Sequence, residues 1–404
     1  MKKTVLLLAA GAPYHRHIEA LRRAGYRVVA MDRDPSAAGL ETADGHRVAS
    51  IADAGAAEGA ARDFNVDAIV AATELGVVPA ATASQALGLP GLPLKVARAA
   101  TDKPTMRARW RESGLRQPDF TVAATPADAR SAFHDFGLPA VIKPAASAAS
   151  KGVSVVSKAA DIGSAIDEAF AVGRSRVIVE QFVSGSLLTA EGFVGDTEAT
   201  VTAIGDVETQ AVDRHRVNMT LAYPGAFTHT TLDRARLLAE RAAIAIGLRR
   251  VPFHCECIVG ADGNVSLVEI AARGGGGHIF TTLYERMLGT SGIVHHARLL
   301  LGETDRAAPP LAPRGGCYMF LSAPPGRLAR VEGVEVASAL PGIVDIGITM
   351  RRGETGGLVT DDNARHGHIV AIGRDRDEAW RNAAAARDAI RFVMVHETGQ
   401  HSAT

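Results

Sequence analysis

Two glutamates in this chain are spaced to meet across a hairpin. From Phe253 to Arg273, apolar and polar residues alternate on both sides of Asp262-Gly263. Asp-Gly is a strong signal for a two-residue hairpin turn. With Ala261 facing Asn264, the ladder predicts Glu256 directly opposite Glu269. Like charges facing each other across a strand pair are destabilising. Two carboxylates on one face also make a hard-cation site, since Mg2+ takes oxygen ligands, one or two carboxylates plus substrate phosphates. The plain alternative is two solvated glutamates on an exposed face. Arg273 follows, then Gly274 to Gly277 and His278. Consecutive glycines are costly in conformational entropy. Such a loop makes sense where backbone N–H groups must approach an anion.

Lys143 ends the strand pattern Ala140-Val-Ile-Lys and precedes a small-residue loop, Pro144 to Gly152, that includes Ser150 and Lys151. The loop suits phosphate contact, although it lacks the G-x-x-x-x-G-K-[ST] spacing of a P-loop. A lysine after a strand can instead be a snorkelling surface residue. Lys103 lies in Asp102-Lys-Pro-Thr, which also reads as a helix start. Val177-Ile-Val-Glu180 is an apolar strand running into Gln181, Phe182, Val183 and Gly185. Such a connector can present backbone groups to a planar base, although taken locally a core strand is the preferred reading.

These residues need elements to carry them. The first hundred residues alternate strand and helix patterns, with buried parallel strands expected at Val5 to Ala9, Arg27 to Met31 and Asp67 to Ala71. A helix over His15 to Ala24 follows the first strand, which argues against reading the apolar start as a signal peptide. The first loop, Gly11-Ala-Pro, lacks the glycine fingerprint of a dinucleotide site, although Asp32 stands where a ribose-binding acid would. Glu74 either touches a ligand in the crevice or is a solvated loop acid. Further strands are expected at Val153 to Val156, Leu187 to Val194 and Ala199 to Ile204. A polar segment is expected around Asp213 to Asn218. Helices are expected over Asp161 to Ala171, Leu232 to Ile246 and Arg376 to Phe392. The cluster Pro309 to Pro313 reads as a boundary.

The chain has 404 residues, 44 basic and 44 acidic, so no basic excess points to nucleic acid. Three cysteines make no disulfide framework. Cys255 and Cys257 share one strand face and are expected in a core, in keeping with a cytoplasmic location. No segment is long enough to span a membrane.

Taken in order, Asp102-Lys103 with Arg107, Val141-Ile-Lys-Pro with Ser150-Lys-Gly-Val153, Val179-Glu-Gln-Phe-Val-Ser-Gly185, Glu191-Gly-Phe193, His254-Cys-Glu256 and Glu269-Ile-Ala-Ala-Arg273 resemble the ATP-grasp superfamily of carboxylate–amine ligases. The run from Glu269 to His278 is most similar to the L-amino-acid (dipeptide) ligases. The resemblance implies an α/β fold, α+β in its central part. It implies a Rossmann-like unit at residues 1–100, an ATP-grasp unit at 101–310 and a carboxy-terminal, lid-like α+β unit at 311–404. It implies ATP and Mg2+, two ions, with Mn2+ able to substitute. Lys103 and Lys143 would contact phosphates, under a cover formed by Ser147 to Gly152. Glu180 with the Gln181 to Val183 backbone would hold adenine. Glu256 and Glu269 would bind the metal, and Arg273 would sit beside the γ-phosphate. His278 is a candidate base or substrate-orienting group. Small-molecule carboxylate and amine substrates are implied, and a homodimer is compatible. Two departures stand out. Ala271 occupies the place where many members carry a third metal ligand, Asn. The glutamate often found near ribose, two residues after the connector glycine, is absent after Gly185.

Overall fold

The computed structural model describes residues 2–147, 150–173, 175–304 and 314–395. Ala148, Ala149, the Pro309 to Pro313 boundary and the final residues lie outside them.

Four parallel strands form the amino-terminal sheet: β1 (Thr4–Leu8), β2 (Arg27–Asp32), β3 (Gly45–Val48) and β4 (Ala68–Ala71), in the order β3-β2-β1-β4. Every residue of β1 is buried, as a strand covered on both faces requires. β3 is exposed at alternate positions and its short polar sequence gave no strand signal. Asp32 accepts from the N–H groups of Ala10 and Gly11 at 2.9 and 3.2 Å. Its carboxylate therefore holds the first loop of the fold.

A second sheet is antiparallel: β5 (Phe120–Ala123), β6 (Ala140–Pro144), β7 (Ser154–Val156) and β8 (Val177–Gln181), in the order β5-β8-β6-β7. The helices Pro126–Phe136 and Ile162–Gly173 cover it and enclose a core of its own, around Phe133, Ile142, Ile166 and Val179.

The third sheet has eight strands. β9 (Gly185–Val194), β10 (Ala199–Val212), β11 (His215–Tyr223), β12 (Val251–Gly260) and β13 (Val265–Ala271) come from the centre of the chain. β14 (Gly315–Leu321), β16 (Ile343–Ile348) and β18 (Gly367–Gly373) join from its last part, in the order β13-β12-β9-β10-β11-β14-β18-β16. The sheet thus runs on across the expected boundary, through the pairing of β11 with β14. β15 (Gly326–Glu332), β17 (Thr355–Gly356) and β19 (Arg391–Val395) form a small separate sheet.

Three expectations are corrected. The polar run Asp213 to Asn218 is mostly strand: β10 and β11 form a hairpin turning at Asp213-Arg214, whose tip accepts from Val155 N–H at 2.8 Å. The polar face of that hairpin is exposed, so its alternation lacks the apolar half of the signal. The last helix stops at Ala389 and the chain turns into β19. The central hairpin does not close in two residues. Gly260 N–H bonds to Asn264 O at 2.9 Å, leaving a three-residue loop with Gly263 at φ +70°, a conformation that favours glycine. A bulge between Glu256 and Cys257 then restores the register.

Candidate active site

Because of that bulge, Glu256 does face Glu269 across β12 and β13. Cys255 and Cys257 point the other way, buried with their sulfurs 3.9 Å apart. The carboxylate face looks toward the small antiparallel sheet, and cations fill the space between. The helix Lys103–Glu112 supplies two of them. Asp102 caps that helix by accepting from Thr105 N–H at 3.1 Å. Lys103 Nζ lies 3.0 Å from Glu269 Oε1 and donates to Ser147 O at 2.8 Å, so it ties the carboxylates to the small-residue loop. Arg107 is buried; it donates to Leu267 O at 2.9 Å and to Glu180 Oε1 at 2.6 Å.

Lys143 on β6 completes the set, 2.8 Å from Glu180 Oε2. Burial and the Arg107 charge push its pKa down, while Glu180 and Glu269 resist. Glu180 stays ionised: burial disfavours its charge, but two cations outweigh that and lower its pKa. Both oxygens of Glu180 are therefore engaged, and the connector offers its backbone, which leaves the sheet after Gln181. Phe182 and Val183 are half-buried there. Ser150 and Gly152 occupy a turn with positive φ, and Lys151 is exposed beside them.

Glu256 has a second cation. His254 Nε2 lies 3.7 Å from Glu256 Oε1. His254 Nδ1 lies 2.5 Å from Glu191 on β9. Burial opposes charge on His254, yet the two carboxylates hold its pKa up at about 10. Burial likewise opposes charge on Glu256, but His254, Lys143 and Lys103 bring its pKa below the usual range. Facing carboxylates that stay ionised among lysines form a donor set suited to a hard cation bearing phosphates.

Arg273 leaves β13 and meets Glu74 from the amino-terminal sheet, with Nε 3.2 Å from Oε2, close but without hydrogen-bond alignment. Burial and the nearby Glu269 raise the Glu74 pKa against the pull of Arg273. Glu74 is thus a half-buried member of the site rather than a solvated loop acid. Its helix, Glu74–Leu87, starts just past the carboxyl end of β4, where ligands of parallel sheets bind.

His278 precedes a wide π-helical turn, Ile279–Leu283. Its ring stacks on His368 of β18 at 4.0 Å. Asp345 of β16 lies 3.5 Å from His278, 2.8 Å from His368 and 2.6 Å from Arg16. Burial, with His368 adding to it, pushes the His278 pKa to about 3. His368 and Arg16 each bond to Asp345, and the ligand atoms of His278, Asp345 and His368 lie within 4.8 Å of one another. Tyr318 of β14 packs 5.9 Å from the His278 ring and 4.3 Å from Phe320. Arg365 stacks over Phe320 at 3.5 Å and pairs with Asp362, whose carboxyl is raised by burial and by the charge of Glu256.

Sequence reasoning did not assign Glu191, Asp345, Asp362, Arg365 or His368. Only Glu191 gave a signal, as part of the Glu191-Gly-Phe193 segment of the resemblance, which assigned it no role. The others depend on the carboxy-terminal strands folding back onto the site.

Two sheets gripping a cleft of lysines and facing glutamates define an ATP-grasp fold, and the comparisons agree. An ATP-grasp domain model matches residues 136–282, and the model of L-amino acid ligase C-terminal domain 2 matches residues 319–395. The chain belongs to the ATP-grasp family of ATP-dependent carboxylate–amine ligases. It is 30% identical to a formate-dependent phosphoribosylglycinamide formyltransferase of Burkholderia lata, over 97% of this chain and 96% of that one. Its fold is similar to that of an L-amino acid ligase from Bacillus licheniformis, with TM-score 0.82, 19% identity and 98% and 99% of the two chains covered. It is also similar to N5-carboxyaminoimidazole ribonucleotide synthetase from Thermotoga maritima, with TM-score 0.74, 19% identity and 98% and 100% covered. No described helix is long and apolar enough to cross a membrane.

Proposed function

We propose that this enzyme joins the carboxylate of one amino acid to the amine of another, through an acyl phosphate, with ATP converted to ADP and phosphate. The observation that carries the amino-acid reading is a charge balance. Arg273 pairs with Glu74, Arg16 with Asp345 and Arg365 with Asp362 around Tyr318 and the glycine loop. Each of these three guanidinium groups lies against a carboxylate. A zwitterion fits there by exchanging partners with such pairs. A phosphorylated ribonucleotide brings a dianion and calls for uncompensated arginines.

Glu256 and Glu269 would hold Mg2+, and the ion would neutralise phosphate charge and polarise the γ-phosphoryl group. Lys103 and Lys143 bind phosphate oxygens, with Ser150 to Gly152 beside them. The backbone of Glu180 to Val183 receives adenine. Arg273 holds the substrate carboxylate in line with the γ-phosphorus and stabilises the oxyanion when the amine attacks the acyl carbon. The glycine N–H groups assist it. His278, held neutral by burial, orients substrate; a base with so low a pKa is a poor proton acceptor near neutrality.

A second reading rests on the Burkholderia relative: an acceptor of the purine-precursor type. The test is ADP release from Mg-ATP across paired amino acids, with mass detection. A product equal to the two acids less water supports the peptide reading. ADP release only with a phosphoribosyl amine and a small acid supports the second.

A further inference from the structure

Glu191 is 1% exposed, and both its oxygens point at functional elements instead of packing neighbours. Oε1 meets His254 Nδ1 at 2.5 Å, and Oε2 accepts the Gly275 N–H at 3.0 Å. His254 stands directly across from Glu191 in the β9–β12 ladder, and two residues along the same strand face is Glu256. Gly275 is the second glycine of the loop that follows Arg273. A Cβ there would lie 2.8 Å from Glu191 Oε1 and 2.6 Å from Ile279 Cγ2. The close approach of this carboxylate is therefore one reason the position is glycine.

An isolated buried carboxylate costs several kcal/mol unless paired and hydrogen-bonded. Glu191 is satisfied on one side by the loop and on the other by the histidine that borders the proposed metal ligand. Its strand is pinned as well: Thr202 Oγ1 donates to Glu191 O at 3.1 Å and accepts from Tyr284 at 2.9 Å. A link so braced leaves Glu191 little freedom to move independently of either partner.

We propose that Glu191 is a positioning residue that couples the two halves of the reaction: through Gly275 it fixes the loop that receives the developing oxyanion, and through His254 it orients Glu256 toward the metal. The proposal rests on the metal and loop roles given above. Groups that orient metal ligands typically change affinity or activity about 10–100-fold when removed. A carboxylate serving both sites should alter both together.

The test uses the full-length protein and the near-isosteric Glu191→Gln. Mn2+ binding is measured by electron paramagnetic resonance with a non-hydrolysable ATP analogue, alongside kcat and the KM for ATP. We expect Mn2+ affinity and kcat each to fall about tenfold or more, with the KM for ATP nearly unchanged. His254→Gln should reproduce the loss of Mn2+ affinity, and the double variant should bind Mn2+ no more weakly than Glu191→Gln. Unchanged Mn2+ affinity and kcat in a folded Glu191→Gln overturns the proposal, as does a double variant whose losses simply multiply. If Glu191→Gln does not fold, unchanged Mn2+ affinity in His254→Gln overturns it. Wild-type protein that binds no Mn2+ would instead sink the metal reading, and this coupling with it.

Discussion

Lys103 Nζ lies 3.0 Å from Glu269 Oε1, so a helix whose apolar face packs in the core of the large sheet closes that sheet's carboxylate pair. The lysine offsets the repulsion that the facing glutamates would otherwise suffer. Glu269→Gln should cut turnover about a hundredfold or more, the scale of losing a preorganised charge contact in a reaction centre. The fold should survive, since Glu269 is half-exposed on its strand. Steady-state ADP release with a melting curve checks both; wild-type turnover would remove Glu269 from the metal site.

Arg273 is paired with Glu74 across two sheets and is the cation nearest the glycine loop. Arg273→Ala should lower kcat by about two to three orders of magnitude while the KM for ATP moves little, because the contact is made as charge develops. A rise in the KM for ATP with kcat intact would place Arg273 in nucleotide binding only.

Glu180 carries two buried cations, Arg107 and Lys143. Glu180→Gln should destabilise the protein by about 3 kcal/mol, since removing one member of a buried pair leaves uncompensated charge. Urea unfolding measures this. A loss under about 1 kcal/mol would mean that water reaches the cluster.

Acid should weaken the fold through histidines that carry no phosphate chemistry. Burial holds His17 and His296 at about 3, well below the unfolded value near 6.5. The unfolded chain therefore takes up protons first. Stability is complete above pH 6.5 and falls as pH drops toward 3, by at most about 1.4 kcal/mol per pH unit for each histidine. Denaturant midpoints between pH 7 and 5 should show this slope, and His296→Leu should flatten it. An equal slope in that variant would contradict the neutral buried state.

The alternation around Asp262-Gly263 announced the hairpin and its facing glutamates, but by a route that the fold does not take. A three-residue loop shifts the register by one, and the bulge at Glu256 shifts it back. Bulges leave little trace in a hydrophobic pattern, because they move one residue without changing its neighbours. Three of the four parallel amino-terminal strands were legible because burial on both faces gives continuous apolar runs, whereas the polar, half-exposed β3 was not. The charge pairs around Tyr318 and the glycine loop were not legible. Arg16, Glu74, Asp345 and Arg365 come from opposite ends of the chain and meet only after β14 extends the central sheet. No local spacing encodes such a meeting.

That extension has a mechanical consequence. β14, β16 and β18 belong to the same sheet as the strands that bear Glu256 and Glu269, joined to them through β11, β10 and β9, and one continuous core links Phe193, Phe280, Tyr318 and Val370. The carboxy-terminal strands cannot swing as a cover without breaking the ladder to β11. The small sheet β5 to β8 has a separate core and meets the rest through polar contacts that include Glu180 to Arg107, Glu168 to Arg214 and Val155 to Arg214. Displacing the small sheet would therefore break polar pairs such as Glu180 to Arg107 and Glu168 to Arg214 while leaving its own core intact.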